Sequence, residues 1–222
     1  MRRGLQEGEK SAASYVEFAH LFQKYYYLLG LKPGQMKRLL IGALVGGVII
    51  FICQTLSWMI LDLHRPANQY TPNQDKIMAF LNEQITEDGS YFLPTLPEGA
   101  NEDMMKKYML EADGKPWAIL AYHKKMDFSM GMNIVRVIIV NILMVGLLCW
   151  ILLRIPTLKF STVFLATLFT GFIVFLNAPY TNHIWYETFD LTAYFIDALV
   201  GWGLTGLWLG WWLGKKTTKA AS

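Results

Sequence analysis

Four long hydrophobic runs dominate the pattern of the chain. They cover residues 39–61, 131–153, 160–178 and 191–213, and they are separated by stretches rich in charge, proline and glycine. A helix needs about 20 apolar residues to cross a hydrocarbon layer of about 30 Å, and lipid leaves the helix as the structure that satisfies the backbone of each run. The pattern therefore predicts four transmembrane helices, TM1 to TM4.

The stretch between TM1 and TM2, residues 62–130, has a different pattern. Thr71-Pro72 is typical of a helix start, and this helix should run to about residue 85. Asn101 should cap a second helix that ends near residue 111, and the segments 90–93 and 117–123 alternate as paired strands do. We therefore predict a small α+β cap, and the fold class is an all-α membrane protein, a four-transmembrane-helix bundle carrying this cap.

The composition agrees with a membrane protein. The 222 residues are 54% hydrophobic and only 17% charged, whereas soluble domains have about a quarter charged residues. This balance argues against disorder, against a disulfide-rich secreted module and against nucleic-acid binding. The two cysteines, Cys53 and Cys149, lie inside predicted spans and are interpreted as packing residues.

The distribution of lysine and arginine predicts the orientation. Seven basic residues precede TM1, and others lie between TM2 and TM3 and after TM4, while residues 179–190 contain none. Residues 63–130 have seven basic and ten acidic residues. Because basic residues collect on the cytoplasmic side, both termini are expected in the cytoplasm and the cap outside, in a multi-pass protein of the bacterial inner membrane.

The two ends of the chain are predicted to be cytoplasmic segments. Residues 1–38 include an aromatic stretch, 14–31, that fits an amphipathic helix lying in the membrane interface or packed on a partner subunit. TM1 is interpreted as an uncleaved signal-anchor, and residues 214–222 as a basic tail.

Placing an ionisable side chain inside a membrane span costs free energy, so such residues are candidates for a functional site. Arg136 in TM2 and Asp197 in TM4 lie at similar depths, roughly 8 and 9 Å inside the outer ends of their helices. We therefore predict that they form an ion pair. The remaining members of this predicted polar core are Asp190, Tyr194, Asn133, Asn177 and Gln54.

Two interpretations of the polar core stay open. It could be a buried network that fixes helix register, or a pocket open to the outside that binds a small polar ligand, a lipid headgroup or a quinone head. Three histidines near the outer ends of the spans add a third hypothesis, a metal site made by His64, His123 and His183.

Sequence signatures of enzymes are missing. The chain has no glycine-rich phosphate loop, no H-E-x-x-H, no G-x-S-x-G and no C-x-x-C, and no histidine lies within a predicted span to bind haem. No catalytic residue and no cofactor are therefore predicted. The main functional hypothesis is a non-enzymatic accessory or assembly subunit that contacts membrane lipids and other membrane-protein subunits.

Short motifs give a resemblance. They are Asp88-Gly89-Ser90-Tyr91 with Pro94 and Pro97, the segment from Ala178-Pro179-Tyr180 to Trp185, and residues 190–202. In these the chain resembles a group of small bacterial four-span membrane proteins with a DGxY-x-x-P-x-x-P outer loop and no assigned activity. The resemblance covers most of the chain after residue 39. It implies the topology and a joint role for Tyr91, Pro94, Asp190 and Asp197, and it implies no reaction.

Overall fold

The computed structural model describes residues 30–32, 34–127 and 129–214. The amphipathic helix predicted before residue 30 and the basic tail from residue 215 lie outside the described residues. The chain divides into two compact units, one made of residues 70–129 and one made of the residues on either side of them.

The described residues are mostly helical, with one two-stranded sheet. Two helices continue into π-helical turns, Leu56–Ile60 and Leu176–Tyr180. The helices and strands are α1 (Gln35–Thr55), α2 (Gln74–Gln84), β1 (Gly89–Leu93), α3 (Glu102–Ala112), β2 (Ala118–Tyr122), α4 (Met130–Leu152), α5 (Phe160–Phe175), α6 (Thr181–Trp185) and α7 (Leu191–Leu213).

Three helical stretches of the described chain are long and apolar enough to cross a membrane. They are Gln35–Ile60, Met130–Leu152 and Phe160–Trp185, and they correspond to TM1, TM2 and TM3 of the prediction. The fourth, α7, has 23 residues but is not among them. Helix α7 is less apolar because it contains Asp197, two threonines, four tryptophans and several glycines. The four-span bundle therefore stays a prediction.

The third stretch does not end where the sequence predicted. Pro179 was expected to stop the helix at residue 178, but the chain continues through the π-helical turn Leu176–Tyr180 and on to Trp185. Proline lacks an N–H and its ring clashes with the preceding helical turn. A wider π turn accommodates both features, and it therefore lets the helix pass the proline.

Helix packing in the larger unit is centred on α1 and α7. Helix α1 packs against α4 and α7, and α7 also packs against α5. Glycines allow the close approach: a Cβ on Gly47 would lie 2.7 Å from the Ile142 backbone, and one on Gly171 would lie 2.4 Å from Cγ of Trp202. These contacts agree with small residues at membrane helix interfaces.

Hydrogen bonds fasten the start of α1 to the end of α7. The guanidinium of Arg38 donates to the backbone oxygen of Leu213, and the Trp212 indole Nε1 donates to the oxygen of Arg38 at 2.9 Å. Helix C-termini leave carbonyls without intrahelical partners, and Arg38 supplies a charged donor there. The two helices are therefore antiparallel, and the end of α1 meets the start of α7.

The unit of residues 70–129 contains the elements predicted for the cap. Strands β1 and β2 pair antiparallel, with Gly89 opposite Tyr122 and Leu93 opposite Ala118. Asn101 caps α3 by accepting from the backbone N of Met104 at 2.9 Å, as predicted. Helix α2 begins at Gln74, later than the Thr71-Pro72 signal suggested, with Asn73 preceding it.

Candidate functional site

His64 occupies the centre of the candidate site. After α1 and its π-helical turn, the backbone N of Leu63 donates to the oxygen of Ser57, and Asp62 adopts a left-handed conformation with φ of 51°. Aspartate tolerates this conformation better than most residues. The chain therefore folds back on itself, and the imidazole of His64 is buried, with 1% of its surface exposed.

Two aspartates, one directly before α7 and one within it, hold the His64 ring from both sides. Its Nδ1 lies 2.7 Å from Oδ2 of Asp190, and its Nε2 lies 3.1 Å from Oδ2 of Asp197. Asp190 precedes the first residue of α7 and Asp197 lies two helical turns further on, so both carboxylates project from the same face. We call these three side chains the His64 cluster.

The two hydrogen bonds set the smallest number of protons with which the cluster satisfies its contacts. An ionised carboxylate only accepts hydrogen bonds, so each of the two N···O contacts needs one proton. A doubly protonated ring between two carboxylates satisfies both contacts, as does a neutral ring with one protonated carboxyl. Both arrangements contain the same number of protons, and in both the cluster has a net charge of −1.

Aromatic rings enclose the imidazole on its remaining sides. The indole of Trp58, from the π-helical turn after α1, stacks on the ring with centroids 3.9 Å apart and planes 6° from parallel. Tyr194 approaches edge-on, with centroids 4.7 Å apart. These contacts limit the rotation of His64, and they exclude water from its faces.

A cavity of ≈ 270 Å³ adjoins the cluster. Asp197 lines it and is 20% exposed, whereas Asp190 is buried at 4%. Residues of both π-helical turns line the cavity: Trp58 comes from the turn Leu56–Ile60, and Ala178 and Pro179 come from the turn Leu176–Tyr180. π-helical turns are rare and frequently occur at functional sites, because they change the direction in which side chains point.

A second polar contact lies next to the cavity. Gln54, which lines the cavity, accepts through Oε1 from Nδ2 of Asn141 at 2.8 Å, and Asn141 is 1% exposed. This bond joins α1 to α4. Sequence reasoning selected Gln54 but missed Asn141, whose signal was an amide in the middle of an otherwise apolar run.

Part of the predicted polar core comes together and part does not. Asp190, Asp197, Tyr194 and Gln54 lie at the His64 cluster or its cavity. Asn133 and Asn177 are exposed side chains at other positions on the helices.

The predicted ion pair between Arg136 and Asp197 is wrong. Asp197 binds His64 instead, and Arg136 is exposed and forms no ion pair with any residue that the structure describes. The prediction rested on similar depth along two helices, but depth does not determine which face of a helix a residue occupies. An exposed arginine near the end of a membrane helix can extend its long side chain towards the polar interface. This lowers the free energy of placing the charge there, even without an ion-pair partner.

The three histidines of the predicted metal site have different surroundings. His64 is bound to its two carboxylates, and Nδ1 of His183 accepts from the backbone N of Thr188 at 3.0 Å. His123 is exposed, with Nδ1 4.0 Å from Oδ2 of Asp88. Within residues 30–32, 34–127 and 129–214, no three His, Cys, Asp or Glu side chains are placed to hold a metal ion.

Comparisons with protein-family models, with curated proteins and with solved structures found no match to this chain.

Proposed function

We propose that this chain is a multi-pass membrane protein that binds a small ligand in the cavity beside the His64 cluster. The observation that carries the proposal is the environment of Asp197. One of its oxygens is fixed by buried His64, and the same carboxylate lines the cavity and stays partly exposed. A fixed carboxylate at the wall of a largely apolar cavity provides a polar anchor for a ligand.

The exposure of Asp197 favours binding over a structural network. A network that only fixes helix register is most stable when its members are fully buried and fully hydrogen-bonded. Asp190 fits that description, but Asp197 does not, since a fifth of its surface is accessible. In this proposal, His64 and Asp190 position Asp197, and Asp197 contacts the ligand.

The size of the cavity limits the ligand. Pockets for drug-sized molecules have volumes of about 300–1,000 Å³, and this cavity, at ≈ 270 Å³, is slightly smaller than that range. The bound group is therefore a small molecule or the head of a longer one.

Native mass spectrometry of the full chain, released from nanodiscs, tests this proposal. The wild-type protein should have a non-covalent adduct of one small molecule. Ala178→Phe should remove the adduct, because Ala178 is exposed and lines the cavity, so that a larger side chain would fill the space. Leu165→Phe on exposed α5 surface is the matched control and should keep it. An adduct absent from the wild type, or retained in Ala178→Phe, would contradict the proposal.

We further propose that both termini face the cytoplasm of a bacterial cell and that α7 is the fourth span. Lysine and arginine flank α1, α4 and α7 on one side and are absent from residues 179–190. The antiparallel contact between α1 and α7 is consistent with helices that cross the membrane in opposite directions.

A second candidate function is that of an accessory subunit, and the helices of residues 70–129 favour it. Neither α2 nor α3 has a buried residue, and both expose large apolar side chains, including Phe80, Met109 and Leu110. Exposed apolar surface of this kind commonly marks a protein contact. Extraction in mild detergent should then recover a stoichiometric partner, which Leu110→Glu should release and Lys115→Glu should not.

A further inference from the structure

We infer that the ligand of this cavity is a small organic cation, an alkyl-substituted ammonium, that pairs with Asp197. This inference rests on the proposed function and specifies the chemical class of the ligand. It follows from the charge of the His64 cluster, from the charge of the cavity wall and from the aromatic side chains that line it.

The cluster needs a counterion. With the two protons that its contacts need, the cluster has a net charge of −1, and two of its members are nearly fully buried. A buried charge without compensation is costly in a protein interior. Within the described parts of the chain, no lysine or arginine forms an ion pair with Asp190 or Asp197. A cation in the cavity would supply the missing charge.

The cavity wall has the matching sign. Asp197 is the single formally charged side chain among the described residues that line it, and no basic side chain lines it. The hydrogen bond to His64 uses Oδ2 of Asp197, and no described residue bonds its Oδ1. An anionic ligand would meet a carboxylate with no basic partner, whereas a cation would meet its counter-charge.

The rest of the wall fits a cation that has alkyl groups. Trp58, Tyr194, Phe175 and Trp202 line the cavity, together with aliphatic residues such as Val174. Aromatic faces attract cations, and recognition of quaternary ammonium groups by aromatic residues is well established in proteins. The stack on His64 covers one face of Trp58, and 44% of this side chain remains exposed. A strongly hydrated inorganic ion would find few oxygen ligands in such a wall.

Three probes of nearly the same shape separate charge from size. Choline has a trimethylammonium group, 3,3-dimethylbutan-1-ol has a neutral tert-butyl group in its place, and 3,3-dimethylbutyrate is an anion of similar size. Their affinities for the full chain in an uncharged maltoside detergent are measured by calorimetric titration. Choline should bind at least about tenfold more tightly than the neutral alcohol, as the ion pair and cation–π contacts require, and the anion should bind most weakly.

Variants connect this preference to Asp197. Asp197→Asn keeps the shape and removes the charge, so it should lower choline affinity by about tenfold or more while leaving the neutral alcohol nearly unchanged. Asp62→Asn is the matched control, because Asp62 is an exposed carboxylate that pairs with Arg65 and does not line the cavity. It should leave both affinities unchanged.

The outcomes distinguish this inference from the proposed function. If the neutral alcohol binds as tightly as choline, or if Asp197→Asn leaves choline affinity intact, the ligand is not selected by its positive charge and the inference is overturned. If no probe binds, it is also overturned. The proposed function stands in any of these cases when wild-type protein retains its native adduct and Ala178→Phe loses it.

Discussion

Nδ1 of His64 lies 2.7 Å from Oδ2 of Asp190, although 126 positions separate the two residues along the chain. The contact joins the segment that follows α1 to the residue directly before α7, and both side chains are almost completely buried. It fixes the ring whose other nitrogen holds Asp197 at the cavity. The integrity of the proposed binding site therefore depends on a contact outside the cavity wall.

Removing the imidazole should destabilise the protein strongly. His64→Ala leaves Asp190 buried with no donor, and loss of one partner from a buried charged pair costs about 3 kcal/mol or more. The free energy of unfolding is measured in detergent by thermal or denaturant unfolding. His123→Ala, which changes an exposed histidine, is the control and should stay within about 0.5 kcal/mol of the wild type. Equal stability of the two variants would show that the His64 cluster is not a structural centre.

Two glycines should respond differently to replacement by alanine. A Cβ at position 171 would lie 2.4 Å from Cγ of Trp202, so Gly171→Ala should separate α5 from α7 and lower the free energy of unfolding by about 1–3 kcal/mol. Gly203 has no atom within 4 Å of its added Cβ, so Gly203→Ala should be neutral or stabilise α7 by up to about 1 kcal/mol. Unfolding measurements on the two variants test the packing of α7, and a destabilisation of similar size in both would contradict it.

The amide pair Gln54 and Asn141 should show measurable coupling. The bond joins α1 to α4 and one partner is 1% exposed. A double-mutant cycle with Gln54→Leu and Asn141→Leu should give a coupling free energy of about 0.6 kcal/mol, the average for such bonds in membranes, and at most about 1.7 kcal/mol. Additive effects of the two substitutions would mean that the side chains do not interact in the folded protein.

Arg136 should be dispensable for the site. Its side chain is exposed, and no residue of the described chain forms an ion pair with it. We therefore expect Arg136→Gln to change the free energy of unfolding by less than about 0.5 kcal/mol and to leave ligand binding intact. A loss of binding equal to that of Asp197→Asn would restore the ion pair that the sequence suggested.

A labelling experiment tests whether α7 crosses the membrane as a fourth span. In a variant in which Cys53 and Cys149 are replaced by serine, single cysteines at positions 187 and 222 are exposed in turn to a membrane-impermeant maleimide. If α7 crosses the membrane, the two positions should react from opposite sides, with position 222 protected in intact cells. Labelling of both from the same side would mean that α7 does not span.

Much of the helical framework could be predicted because it depends on local properties. The uninterrupted apolar runs predicted the three helices that are long enough to cross a membrane, with starts and ends within a few residues, except at Pro179. Asn101 was predicted to cap a helix and does cap α3, and the alternation of residues 117–123 predicted β2. Each of these signals lies within a few residues of the structure that it specifies.

The partners of the polar side chains could not be predicted in the same way. Asp197 was selected because a carboxylate in an apolar helix costs free energy. Arg136 was then predicted as its ion-pair partner from helical depth alone. His64 was assigned to metal binding because it follows a predicted span. The missing information was the rotation of each helix about its axis, which depends on packing such as that of Gly171 against Trp202.

The sequence alone determined which stretches form helices long and apolar enough to cross a membrane, and which polar residues within them would cost free energy in lipid without a partner. Those properties follow from the transfer of short segments into lipid, and that transfer depends on nearby residues only. The tertiary structure decided that His64, Asp190 and Asp197 meet beside an aromatic cavity. That meeting depends on the backward turn at Asp62, on two π-helical turns and on the packing of α1 against α7, which are set by contacts between residues far apart in the chain.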